Sequence, residues 1–321
     1  MAAVSGAAGL FVRISTALFP IALGLAGLAG VFHFASLALD IQLLRSVSLS
    51  ILLVACIVLA ADVLLYLIKL AGAHGDVIED FSMATSANLL APGFMAAMVI
   101  GGLSVSEHGY GEVFWVVGTL GHLALLFAFV GQWLRRDYDP GALNPTWFLP
   151  SAGIMTSAMT WPGNGPMELP LFTLAVGGVL WAMLLPLVFR RMVLEPAVDP
   201  KLRPTLFIIA APFGLMAGAL LNLFPELPPT VALMFLFAGT FLIVVLISQT
   251  RFLNRAGATL AWWAPTFPVS TVASGYLRLP NPTPITEAIG LGLMVLACIT
   301  TALAIIATFH TALHIFRGDT A

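Results

Sequence analysis

Charge is what this chain has least of. Only 9% of its 321 residues are Asp, Glu, Lys or Arg, against 60% hydrophobic, and the mean hydropathy is +1.02. A water-soluble chain carries about 25% charged residues, so a soluble globular domain is excluded. The net charge of −2 points to no nucleic-acid and no anionic-lipid partner. Cysteine is nearly absent as well. Cys56 and Cys298 both fall in apolar runs, where a thiol acts as a small hydrophobe. Neither a disulfide framework nor a metal-ligand set is implied, no Ser/His/Asp or Cys/His set converges, and neither enzymatic activity nor a cofactor is expected.

What is there is apolar sequence in long blocks. A hydrocarbon core of roughly 30 Å needs about 20 apolar residues per helix. Ten stretches qualify, at 14–36, 47–70, 82–104, 112–134, 144–161, 169–189, 204–224, 229–249, 258–278 and 285–315. They fill the chain, so residues 1–321 are read as one transmembrane domain, an all-α polytopic membrane protein embedded in a lipid bilayer. The first stretch exceeds a cleaved signal sequence and follows one basic residue, so it is expected to be retained. With the N-terminus on one side, Arg13, Lys69, Arg135, Arg136, Arg190, Arg191, Lys201, Arg203, Arg251, Arg255 and Arg317 fall on that side and only Arg45 and Arg278 on the other. Basic residues concentrate in cytoplasmic loops, which predicts both termini in the cytoplasm. Trp115, Trp161, Trp262 and Trp263 lie toward span ends, where interfacial anchors often sit.

Each odd-numbered stretch holds a proline: Pro20, Pro92, Pro150, Pro212 and Pro268, at intervals of 72, 58, 62 and 56 residues. The even stretches have none in their interiors apart from Pro186 near one end. Proline removes a backbone donor and frees a carbonyl one turn earlier, and in lipid such groups are tolerated only against protein or a water-filled cavity. Five broken helices alternating with five intact ones predict five hairpins in a quasi-fivefold ring, with the broken helices lining a central path. That period fits a two-fold inverted repeat less well.

The odd stretches lack charge altogether: no Lys, Arg, Asp or Glu occurs within 14–36, 82–104, 144–161, 204–224 or 258–277. A cation path usually carries carboxylates along its route. An anion path can use the positive ends of half-helices instead, binding weakly enough to let the ion leave. The alternative is that the five stretches are packed core with no pore. In AWWAPTFPVSTVASGY (261–276), Phe267 stands beside Pro268 and is followed by small residues, so it could plug a lumen or simply pack.

Four runs resemble the tellurite-resistance/dicarboxylate transporter family, which includes bacterial tellurite-resistance protein A, plant slow-type anion channels, malate permease and sulfite efflux pumps. They are FPIALGLAGLAGVFHFA (19–35), NPTWFLPSAG (144–153), LEPAVDPKLRPTLFIIAAPFGLMAGA (194–219) and AWWAPTFPVSTVAS (261–274). The resemblance implies ten helices as five hairpins around a central pore, lined by the proline-bearing odd helices, and assembly as a homotrimer. It also implies that Phe267 occludes the pore. Several relatives read W-A-F/Y-S-F where this chain has Trp263-Ala264-Pro265-Thr266-Phe267, so Pro265 is expected to add a second kink. Relatives often carry His-Pro where this chain has Asn144-Pro145, and any role of that histidine does not carry over. The expected location is a bacterial inner (plasma) membrane.

Two further features have competing readings. Asp62, inside the second stretch, is either a proton-coupling acid or a structural hydrogen-bonding group on an outer helix. His310 and His314 share a helix face and could ligate haem in a redox subunit or make interfacial polar contacts. His33, His74, His108 and His122 are isolated, which favours the contacts. The leading expectation is a channel or facilitator for small anions such as chloride and nitrate. The alternatives are a carrier for C4-dicarboxylate, sulfite or tellurite-type oxyanions, and more remotely a haem-binding membrane subunit.

Overall fold

The computed structural model of the chain describes residues 15–104 and 109–317; Arg13 and His108 lie outside them. The described residues are helical or in connections. The principal helices are α1 (Phe19–Leu39), α2 (Gln42–Gly72), α3 (His74–Ser82), α4 (Ala91–Ser104), α5 (Gly111–Trp133), α6 (Met155–Met159), α7 (Glu168–Leu194), α8 (Ala211–Leu223), α9 (Pro229–Ser248), α10 (Thr266–Leu277) and α11 (Pro284–Arg317). Eight helices among the described residues are long and apolar enough to cross a membrane, where ten were expected. The fifth and ninth stretches are instead divided. Residues 144–161 form 3-10 turns at Pro145–Phe148 and Ala152–Ile154 followed by α6, and 258–278 form a 3-10 turn at Leu260–Trp263 followed by α10. Each contains two prolines, Pro145 and Pro150 or Pro265 and Pro268, which prevent one continuous ladder of hydrogen bonds. His74 opens α3.

Five sequential pairs pack together: α1 with α2, α4 with α5, α6 with α7, α8 with α9, and α10 with α11. The first members of the pairs also pack on one another. α1 touches α4 and α10, α10 touches α8, α8 touches α6, and α6 touches α4, which returns the order to its start. Close approach between these inner helices depends on small residues. At Gly214 of α8 a Cβ would stand 2.8 Å from the backbone carbonyl carbon of Thr271 in α10, so only glycine fits that crossing.

The second members turn large apolar side chains outward, among them Ile57, Phe127, Met183, Phe241 and Phe309. Their inward stripes carry the few polar groups. His122 of α5 is fully buried, and its Nε2 lies 3.0 Å from the carbonyl of Pro150. A carbonyl can only accept, so Nε2 carries the proton. The outer helix thus satisfies a carbonyl in the proline-broken stretch beside it. Trp115 donates to the carbonyl of Ser157 at 3.0 Å in the same interface.

Candidate functional site

Four of the five prolines sit at the starts of α-helices rather than at mid-helix kinks. Pro20 and Pro212 occupy the first turn of α1 and α8, Pro92 is the second residue of α4, and Pro268 is the third of α10. Pro150 lies in the turn before α6. Proline is at home there, because the first N–H groups of a helix have no intrahelical acceptor. Pro265 is the N-cap of α10, so Pro265 and Pro268 flank a single helix start and do not make two kinks.

The positive half-helix ends expected at these breaks present fewer free N–H groups than a bare helix start would. The chain tightens into 3-10 or turn geometry before each α-helix, and bonds to the third residue back continue across the junction. The N–H of Phe19 reaches the carbonyl of Thr16, Met155 that of Ala152, and Ala211 that of Ile208. Gly93 donates to Leu90 at 3.2 Å, and at α10 Val269 reaches one residue further back, to Pro265 at 3.2 Å. These donors are already occupied. What survives is the common direction of the inner helices, whose N-terminal ends gather on one side.

Two cavities lie along the middle of the molecule. The smaller, about 100 Å³, is lined at that N-terminal side by residues such as Pro20, Pro92, Leu149, Ala211 and Pro268. The larger, about 450 Å³, is lined by the C-terminal halves of the same stretches, with Gly27, Val99, Met159, Gly218 and Ser274. Among the described residues neither lining includes any side chain from α2, α5, α7, α9 or α11. Phe267 is shared by both linings and is 4% exposed. Its ring lies close to α1, where a Cβ on Gly27 would stand 3.0 Å from Phe267 Cδ2.

Arg278 is the fixed charge of the larger cavity, with His33 the other ionisable group in its lining. The Arg278 guanidinium donates to the carbonyl of Met159 at 3.4 Å and to Asn222 Oδ1 at 3.2 Å, and lies 4.7 Å over the ring of Phe34. Sequence reasoning counted Arg278, at the end of the ninth stretch, only among the basic residues of the side opposite the N-terminus and missed this placement. The signal was present in spacing: Phe267, Ser270, Ser274 and Arg278 recur every three or four residues, one stripe of a helix.

Several expected roles resolve differently. Trp115 and Trp263 are buried at 4% and 3% exposure, and Trp161 and Trp263 line the larger and smaller cavities respectively, so these three are not interfacial anchors. Trp263 donates to Thr308 Oγ1 at 2.8 Å, tying the start of the ninth stretch to α11. Asn144 caps the turn after it, its Oδ1 accepting from the N–H of Thr146 at 3.0 Å. Asp62 lies on the buried stripe of α2, and its Oδ2 has no hydrogen-bond partner among the described residues, so that oxygen does not make the expected interhelical bond. His310 and His314 approach at 3.4 Å on the outer helix α11, where His310 is exposed. Among the described residues no group of three or more His, Cys, Asp or Glu side chains is placed to hold a metal.

The chain is similar to known proteins along most of its length. The profile of the voltage-dependent anion channel family, SLAC1, matches residues 13–311. The S-type anion channel SLAH2 of Arabidopsis thaliana is 29% identical over 153 residues, covering 46% of this chain and 29% of that protein. The match thus spans less than a third of the length of that curated relative.

Proposed function

Since the chain belongs to the voltage-dependent anion channel family, we propose that this integral membrane protein conducts small monovalent anions, chloride and nitrate among them, through a pore closed at Phe267. The observation that carries the reading is the position of Phe267 in the linings of both cavities. In this reading α1, α4, α6, α8 and α10 form a quasi-fivefold ring whose lumen is the two cavities joined, and the outer helices face lipid. Of the six prolines expected along the pore, Pro20, Pro92 and Pro268 line that lumen, whereas Pro150, Pro212 and Pro265 belong to the same stretches but not to its lining. The termini lie in the cytoplasm, as the eleven-to-two distribution of basic residues supports. Phe267 interrupts the path as an apolar plug, where water and ions would have to shed hydration to pass.

A carrier for dicarboxylates or sulfite is the second reading. Among the described residues one fixed cation, Arg278, faces the lumen, and a single guanidinium offsets only one of the two charges of a dianion. This favours monovalent ions.

The test is current measurement from purified protein in liposomes with chloride, nitrate, malate and sulfite in turn. Phe267→Ala is expected to raise chloride and nitrate current several-fold with little gain for malate. An unchanged current from normally reconstituted Phe267→Ala protein removes Phe267 as the gate. Saturating, proton-dependent uptake in place of current replaces the channel with a carrier.

A further inference from the structure

We propose that the larger cavity is an anion-binding vestibule with two stations, Arg278 at its mouth and the hydroxyl of Ser270 at its floor beside Phe267. The ligand class is a small monovalent inorganic anion, a halide or nitrate. The inference rests on the pore reading and adds to it the groups that recognise the ion.

The vestibule is built at the C-terminal ends of the inner helices, where aligned peptide dipoles present partial negative charge. An anion entering from this side is repelled unless a cation offsets those ends. Arg278 follows directly after α10 and carries the fixed positive charge of the lining. Its described partners are all neutral: a carbonyl, an amide oxygen and an aromatic ring. A guanidinium has five N–H donors, and those two hydrogen bonds leave others for a ligand. The charge is therefore held in place but not neutralised. Asn222 completes the arrangement by donating to the carbonyls of Ala158 and Trp161 at 3.1 Å each, which withdraws those oxygens from the ion.

Deeper in the cavity, Ser270 is 1% exposed, lines the space, and has an Oγ with no hydrogen-bond partner among the described residues. A buried hydroxyl without an acceptor is costly, and an anion supplies one. Ser270 and Arg278 are eight residues apart on nearly one stripe, about 12 Å along the axis. One small ion cannot touch both. Two weak stations in series suit throughput, since neither holds the ion firmly.

The experiment has two independent arms. Crystals of the purified wild-type protein soaked in bromide are expected to show anomalous peaks beside the Arg278 guanidinium and beside Ser270 Oγ. Arg278→Gln loses the first peak, Ser270→Ala loses the second, and Arg278→Lys keeps both. In the second arm, liposome current is measured against chloride concentration in the Phe267→Ala background. Adding Arg278→Gln is expected to raise the half-saturating chloride concentration by about tenfold, the loss of one charge-assisted hydrogen bond. Absence of the wild-type bromide peak at Arg278 overturns the proposal even if Arg278→Gln fails to fold. So does an unchanged half-saturation while Phe267→Ala conducts, which leaves the pore standing. Bromide at Arg278 without anion current from Phe267→Ala supports the site and overturns the pore.

Discussion

Helices α4 and α9 are both uncharged and apolar along their length, yet they are used in opposite ways. In α4 nearly every residue from Ala91 to Ser104 is buried, on all sides. In α9 the buried residues are Ala232, Leu236, Gly239, Ile243 and Leu246, a stripe at intervals of three and four, and Met234 and Phe241 face outward. The contrast holds across the molecule. Of the most apolar stretches, those containing α1, α4 and α8 are 61%, 78% and 72% buried, against 22–39% for α2, α5, α7, α9 and α11. Lipid tails are as apolar as leucine, so hydrophobicity does not sort one kind of helix from the other. The inner helices are distinguished by small residues at crossings, prolines at their starts and polar side chains along a cavity.

That contrast can be broken by substitution. The largest effect is expected at Gly214, where a Cβ would stand 2.5 Å from Thr271 Oγ1 as well as against Thr271 backbone. Gly214→Leu should destabilise the detergent-solubilised protein by more than about 3 kcal/mol, beyond ordinary overpacking. On α11, a Cβ added at Gly292 would meet nothing within 4 Å, so Gly292→Leu should leave thermal unfolding nearly unchanged. Equal losses at both positions would erase the distinction between inner and outer helices.

A middle-sized effect tests how the two layers are joined. His122→Ala removes the donor to the Pro150 carbonyl and leaves a buried acceptor unpaired. The expected cost is about 1–3 kcal/mol in unfolding free energy. His122→Gln, which can still donate, should recover part of it. A loss as small as that of Gly292→Leu would show that the proline-broken stretch does not need its outer neighbour.

The smallest effect is expected at Asp62, on the buried stripe of an outer helix and away from both cavity linings. Its Oδ2 has no partner to lose, so Asp62→Asn should change stability by less than about 1 kcal/mol. Adding Asp62→Asn should leave chloride current in the Phe267→Ala background unchanged as the pH is varied. A proton-coupled flux abolished by Asp62→Asn would move function into the outer layer.

Much of the architecture was legible in the sequence. The alternation of proline-bearing and intact stretches corresponds to the inner and outer partners of five packed pairs. The register of each break was not legible. Pro20, Pro92 and Pro212 begin helices because the preceding residues wind as 3-10 or turn, a local choice that proline permits but does not dictate. Phe267 could be picked out by its neighbours and by resemblance, while Arg278 was hidden by its position at the end of a stretch. Nothing local to Arg278 announces that Asn222 and Met159, 56 and 119 residues away, will hold it over a cavity.

The sequence by itself determined that the chain lives in a membrane, where its helical stretches lie and which of them contain breaks. Those properties follow from composition and local backbone chemistry, which each stretch carries alone. Only the tertiary structure decided which face of each apolar helix meets protein, that the outer His122 completes the broken stretch at Pro150, and that Arg278 brings a fixed charge to the larger cavity. Apolar helices are hydrophobic all round, so their facing is settled by packing between residues far apart in the chain, where small side chains allow contact and buried polar groups must find partners.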